Sequence, residues 1–239
     1  MSPVQINNID HAALRVHPRG GAAFGDAANQ ALVLPAEIEE VQREFAIVFR
    51  RRGSELKAYA LLGLDRDENL FLQDDRWTSR YVPAVHRRGP FSIGLSRDAQ
   101  DGTDAPMIHV DMDDPRVGDE DGLPLFLEHG GNAPYLELVS GVLRLLYDGM
   151  QSAPQAWAAL DEAALLTPVT LTVDVTEEQQ YIIPDVLVVD MAALAGLAGE
   201  RLEQLHRSGL LRLAILAAAS LGNVQGLIAR KRAVLDGSR

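Results

Sequence analysis

The residue types that could carry chemistry are few, and the sharpest pair is His109-x-Asp111 within Met107-Ile108-His109-Val110-Asp111. Side chains alternate with a period of two along a β-strand, so the imidazole and the carboxylate would project from one face. With a second imidazole, such a pair makes the two-His-one-carboxylate set that holds iron(II) in oxygenases. The third ligand fits poorly. His129 stands in the turn-like run His129-Gly130-Gly131-Asn132, and His206 falls late in an expected helix. The ordinary reading is a strand histidine beside a surface carboxylate, with no metal and no cofactor. Iron(II) is the alternative.

Other patterns exclude more than they offer. Asp111, Asp113, Asp114, Asp119, Glu120 and Asp121 supply hard oxygen ligands, but an EF-hand needs Gly at its sixth position and Glu at its twelfth. Counting from Asp111, those positions are Arg116 and Gly122, so the stretch reads as a solvated acidic loop. Gly20, Gly21 and Gly25 lack the preceding strand and the Lys-Ser/Thr ending of a phosphate loop. The absence of cysteine removes thiolate zinc sites, thiol nucleophiles and disulfides together. His11, His17 and His86 stand without a spaced partner.

One block is richer. Arg76, Arg80, Arg87, Arg88 and Arg97 fall in a stretch without an acid, with Trp77, Tyr81 and Phe91 interleaved. Arginine beside aromatics is favoured at protein-binding surfaces, because both offer large, rigid contacts. Trp77, Arg80, Tyr81, Arg87 and Arg88 are therefore the candidate partner-binding residues. Core packing of the aromatics, and pairing of the arginines with the neighbouring acidic segment, are the competing explanations.

The elements that must position these residues change period midway. Strands are expected at Phe45 to Phe49, Lys57 to Leu64, Asn69 to Leu72, Arg80 to Pro83, Phe91 to Leu95 and Met107 to Asp111, after a short helix opened by Leu34-Pro35. Beyond Asn132 and Pro134 the apolar spacing turns helical. Ser152 with Pro154 starts a second helix, which stops before Pro168. Val169 to Val175 alternates as a strand and pairs with Tyr181 to Val189, where Pro184 favours an edge. Asp190 caps a helix ending near Gly209. An apolar helix from Ser208 is then broken at Gly222-Asn223 before a last helix through Leu235. These readings give one α+β domain over residues 1–239. It is strand-rich from 34 to 130, with an antiparallel or mixed sheet, and helix-rich from 131 to 239.

Charge sharpens the picture. The chain of 239 residues carries 34 acids and 22 bases, a net charge of −12, which argues against nucleic acid as a partner. The acidity is uneven: ten acids against one base lie between Asp98 and Glu128, directly after the arginine block. That polarity points to internal pairing or to an oppositely charged protein partner. Leu210 to Leu221 is the longest apolar run. As a helix it would reach about 18 Å, short of a hydrocarbon core of roughly 30 Å, so no membrane insertion is expected. The N-terminus lacks the cationic start and apolar core of a secretory signal, and a cytoplasmic location is expected.

The order of several short blocks closely resembles the bacterial SapC-like family of soluble proteins, which is distinct from the similarly named peptide-transporter permease. The blocks are Phe45-Ala46-Ile47-Val48-Phe49, Ala60-Leu61-Leu62-Gly63-Leu64, Asn69-Leu70-Phe71, Trp77, Arg80-Tyr81-Val82-Pro83-Ala84 and Arg87-Arg88-Gly89-Pro90-Phe91. Gly122-Leu123-Pro124-Leu125-Phe126 and Gly209 to Ser220 continue it, so the resemblance runs from about Leu34 to Leu235. His86 and His109 depart from the family pattern. The resemblance implies an accessory or modifying role linked to a bacterial surface or outer-membrane receptor system, and it supplies no catalytic residue. The leading expectation is a non-catalytic protein that binds a protein or peptide, with a homo-oligomer compatible with the sequence. A divergent iron(II), 2-oxoglutarate-type oxygenase acting on a protein or peptide is the alternative. A surface-layer structural protein is a third reading, disfavoured by the missing export signal.

Overall fold

The computed structural model describes residues 3–97, 104–118 and 120–237. In chain order the first elements are β1 (Val4–Gln5), β2 (Arg15–Val16), β3 (Gln30–Val33), α1 (Ile38–Val41), β4 (Ile47–Arg52), β5 (Glu55–Leu61), β6 (Leu72–Gln73) and β7 (Arg76–Trp77). Next come α2 (Ala84–Arg87), β8 (Phe91–Arg97), β9 (Asp104–Val110), β10 (Leu123–Pro124) and the long α3 (Pro134–Glu162). The chain ends with β11 (Leu166–Asp174), β12 (Gln180–Val189), α4 (Met191–Ala195), α5 (Gly199–Arg207), α6 (Leu210–Ser220) and α7 (Val224–Gly237). The class is α+β, with antiparallel pairing in every sheet described.

Two compact units share the chain. The first comprises residues 1–20 and 84–148, the second residues 21–83 and 149–239, and α3 runs through both. In the first unit β1, β9 and β8 form a three-stranded sheet, and β10 pairs with β2. Phe91, buried, meets Tyr135 edge-on at 6.2 Å between ring centroids, a favourable aromatic geometry.

The second unit is built on a five-stranded sheet in the order β11-β12-β4-β5-β3. The β4–β5 hairpin closes between Arg52 and Glu55, where Gly53 at φ 59° supplies the left-handed residue that tight hairpins need. Phe49 on β4 is fully buried and meets the Trp157 ring of α3 edge-on at 5.3 Å. Removing a buried aromatic of this kind costs about 3–5 kcal/mol. Helix α6 packs against β4 and β12. Its buried Ser220 hydroxyl accepts the Ile47 N–H at 2.9 Å and donates to the Ala217 carbonyl. Asn223 donates to the Gln42 and Phe45 carbonyls, so the helix is tied to the chain leading into β4 by polar bonds as well as by packing.

Several expectations hold in detail. The 166–189 hairpin pairs Leu166 with Val189 through to Asp174 with Gln180. Asp190 caps α4, its carboxylate accepting from Ala192 N and Ala193 N. Gly209, at φ 77°, separates α5 from α6.

Others are corrected. Residues 134–162 make one helix with Pro154 inside it, where two helices were expected. Pro154 removes only one backbone donor, and buried side chains on both sides of it, Leu146, Ala153, Ala156 and Trp157, hold the helix through that point. The single helix expected after Asp190 is two, α4 and α5, interrupted at Gly196 and at Gly199 with φ 61°. Residues 80–83 form no strand, and the pairing expected around Asn69 to Leu72 shrinks to Leu72–Gln73 with Arg76–Trp77. Strand β12 lies inside the sheet and β11 is at its edge. Pro184 is tolerated because β12 meets β4 only at Leu187–Phe49, and the Pro184 carbonyl accepts from Arg50 instead.

The break expected at Gly222-Asn223 is a single 3₁₀ turn, so helical structure runs from Leu210 to Gly237. That 28-residue run is long and apolar enough, by length and composition alone, to cross a membrane. In this fold one side of it is packed into the second unit, through Ala214, Ala217, Ser220, Leu227 and Ile228.

Candidate functional site

The arginine–aromatic block divides between the units. Trp77, Arg80 and Tyr81 belong to the second, Arg87 and Arg88 to the first. In the second unit the Glu44 carboxylate accepts from Arg80 N at 2.7 Å, which fixes the backbone and leaves the Arg80 side chain exposed. Tyr81 is half-buried, and its hydroxyl donates to Glu37 Oε1 at 2.9 Å. Glu37 is itself fully buried and also accepts the Leu34 N–H, so Tyr81 serves a carboxylate that would be costly to bury unpaired. Trp77 is half-buried in its short strand opposite Leu72. In the first unit Arg87 and Arg88 are exposed at the end of α2, and Arg88 donates to the Phe91 carbonyl.

His109 and Asp111 do not converge on a common ligand position. The His109 ring lies across Gly94 on the neighbouring strand: a Cβ at position 94 would come within 2.3 Å of its Cε1. Nδ1 of that ring lies 3.2 Å from the Met107 carbonyl. Asp111 has left the strand, and its carboxylate accepts from Asp113 N in the following turn. Among the described residues there is no group of three or more His, Asp or Glu side chains that could hold a metal ion.

The acidic loop contains its own cation. Arg116, buried, donates through Nε and Nη2 to the two oxygens of Asp114 at 2.9 and 2.7 Å. This side-on hydrogen bonding holds the Asp114 carboxyl below the usual carboxylate range, against the opposing effect of burial. Burial raises the Tyr135 phenol nearby, with the Arg116 charge opposing the shift. Asp119, with Asp98 and Asp101 of the same acidic run, lies outside the described residues. The glycine loop at Gly21 is likewise occupied from within. Gly21 N donates to the buried Asp26 carboxylate and Ala22 N to Asp75, so the amides that would face a phosphate already face carboxylates.

Two arrangements in the second unit were not read from the sequence. The first centres on Lys231, one of two lysines in the chain, whose side chain is 5% exposed. Its ammonium lies 2.5 Å from Asp65 Oδ2 and 2.6 Å from Glu68 Oε1, and 5.5 Å from the Tyr181 ring centre. Burial alone would lower the lysine; the two carboxylates outweigh it and hold it well above its ordinary value. Around it Val173, Val175 and Ile228 pack with Leu64, Tyr181, Ile183, Val224 and Leu235. The β11–β12 tip is thus fixed on α7, where Arg232 also donates to the Val175 carbonyl. The charges cancel locally and face inward, which is the character of a structural clasp.

The second is an open cleft of about 640 Å³ formed by α3, α5 and the start of α6. Its floor is apolar, with Ala156, Ala163 and Leu205 buried and Leu210 and Leu213 beside them. Its rims are polar and exposed: Ser152, Gln155 and Glu162 on α3, and Arg201 and Gln204 on α5 with Ser208 at its C-cap. These positions recur at intervals of three and seven along α3 and of three and four along α5 and its C-cap, so each rim is one helix face. The cleft offers apolar burial flanked by amide, hydroxyl and charged groups, and carries no nucleophile–base pair.

No curated protein and no solved structure matches the chain at a significant level. The family model described as SapC matches residues 6–227, beginning well before the Leu34 at which the sequence resemblance starts. That match takes in every strand except β1, with α3 and the whole of α6, and on its extent the protein belongs to the SapC family.

Proposed function

We propose that this chain is a non-catalytic accessory protein that binds a peptide or protein partner, and that the α3–α5 cleft is where it does so. The observation that carries the reading is the cleft itself, an apolar floor between two exposed polar helix faces. Sites for small molecules bury most of the ligand surface. This one is an open cleft between two exposed helix faces, which suits a chain segment laid in it. The family resemblance adds the setting, a bacterial surface or outer-membrane receptor system served from the cytoplasm. The exposed Arg87 and Arg88 side chains of the first unit are a second contact region in this proposal.

The test is photo-crosslinking in cells of the native host, with benzoylphenylalanine placed at Gln155, at Gln204, or at Ile182, which is exposed and outside the cleft. Crosslinks are expected from Gln155 and Gln204, and they should disappear when Ala159→Arg fills the groove. Equal capture from Ile182, or capture indifferent to Ala159→Arg, overturns the cleft as the binding site. Unchanged capture by the Arg87→Ala/Arg88→Ala variant removes the arginines from it.

A further inference from the structure

Resting on the reading of the cleft as a partner site, we infer that its occupant is an amphipathic α-helix of a partner protein, about three turns long. The inference includes a charge register: an acidic residue on the helix flank facing α5 and a basic residue on the flank facing α3. Three observations lead there. The cleft follows α3 from Ser152 to Ala163, which at 1.5 Å per residue is about 16 Å, or three helical turns. Its walls are helix faces with apolar residues low and polar residues high. An apolar helix stripe fits such a groove, and the helix flanks then meet the rims. An extended peptide would need backbone partners along a strand edge, and none of the cleft-lining residues belongs to a strand.

The third observation fixes the polarity. Arg201 and Glu162 stand on opposite rims, and among the described residues neither side chain makes a hydrogen bond or an ion pair. Several exposed charges elsewhere in this unit are paired: Arg43 with Glu39 and Glu40, Arg51 with Asp161, Arg207 with Glu203, Arg212 with Glu39. One unmatched cation facing one unmatched anion across an apolar floor is complementary to a helix with opposite charges on its two flanks. Charge complementarity of this kind selects orientation and partner more than it adds affinity.

The experiment starts with the full-length chain immobilised against a phage library of random peptides about 16 residues long, with the Ala159→Arg variant as counter-selection. The most enriched peptide is then synthesised with a fluorophore and titrated by anisotropy against the parent, Arg201→Glu and Ala159→Arg. Circular dichroism on each variant checks that it is folded. Enriched sequences should repeat apolar residues at three and four, with an acid on one flank and a base on the other. Arg201→Glu should weaken binding about tenfold, and changing the peptide's acid to Lys should restore it. A proline in the middle of the peptide should abolish binding.

Enrichment of alternating or proline-tolerant sequences overturns the inference. So does indifference to Arg201→Glu, or the absence of any peptide sensitive to Ala159→Arg. A concentration-dependent dimer of the chain that Ala159→Arg dissolves would put a second copy in the groove and overturn it as well. The outcome is separable from the broader reading. If crosslinks from Gln155 persist while no helical peptide is selected, the partner site stands and the helix is wrong; loss of both removes both.

Discussion

Replacing Lys231 by methionine tests whether the buried ammonium is a clasp. Methionine keeps most of the apolar stem that packs beside Ile228 and Val224, so the change removes charge and little volume. What remains is Glu68, 18% exposed, with Leu64 N and Asp65 N still donating to Oε2 but nothing replacing the ammonium at Oε1. Asp65 is 54% exposed and rehydrates. Breaking a fully buried pair costs about 3–5 kcal/mol, and with one carboxylate able to reach water the loss here is about 3 kcal/mol. For a chain of this length that lowers the melting temperature by about 6–12 °C at pH 7.

The double variant Lys231→Met/Glu68→Gln removes the uncompensated charge. It should recover at least about 1 kcal/mol relative to the single change. The pH dependence has a defined sign. The lysine is raised in the folded chain, so its contribution is complete below the unfolded value near 10.4 and declines as pH climbs from there. The gap between parent and Lys231→Met should therefore be flat from pH 7 to 9 and close above pH 10. A Lys231→Met variant that melts within 2 °C of the parent, or a gap that closes on the acid side, would refute the clasp.

Three further outcomes follow from individual contacts. Ser220→Ala leaves the buried Ile47 N–H without its acceptor and should cost about 1–3 kcal/mol in urea unfolding, whereas Ser220→Thr keeps the hydroxyl. Asp114 is held low by Arg116, so its contribution is present above the unfolded value near 3.9 and lost as pH falls through the lower folded one. Asp114→Asn should accordingly cost stability at pH 6 and narrow its deficit against the parent below pH 4, measured by thermal melts across that range. Gly149→Ala places a Cβ 2.6 Å from Leu34 Cδ1 and 2.9 Å from its Cβ; the overpacking, about 1–3 kcal/mol, should outweigh the helix-propensity gain of about 1 kcal/mol and appear as a lower melting temperature.

What was legible in the sequence was local. Alternation of Val169, Leu171, Val173 and Val175 fixes a strand because the pleat has period two, and Asp190 announces a cap because its carboxylate reaches amides two and three residues on. Pro154 misled because proline's local cost is outweighed when buried residues on both flanks keep the helix packed. The cleft was out of reach for another reason. Its floor and rims come from Pro35, residues 152–163 and residues 201–213, and no periodicity within one segment reports that they meet. Lys231 and its carboxylates are 163 and 166 residues apart. A signal existed all the same: lysine is rare in this chain, one of two, and this one falls in a helix that must bury a face. The arginine–aromatic block shows the reverse case, a conspicuous composition whose tyrosine is engaged with a buried glutamate.

The helical run from Leu210 to Gly237 shows how far composition and packing can diverge. By length and hydropathy it could cross a bilayer, and a spanning segment would place its flanking cations among lipid headgroups. In this fold those cations have protein partners. Arg212 pairs with Glu39, Lys231 with Asp65 and Glu68; Arg230 lies over the Phe71 ring and donates to Thr78, and Arg232 donates to Val175. Withdrawing the helix would also strip the Ile47 N–H and the Gln42 and Phe45 carbonyls of their partners. Each of these losses carries its own desolvation penalty, so the apolar character of the run is accounted for by the sheet, the hairpin and the α1 region it holds together.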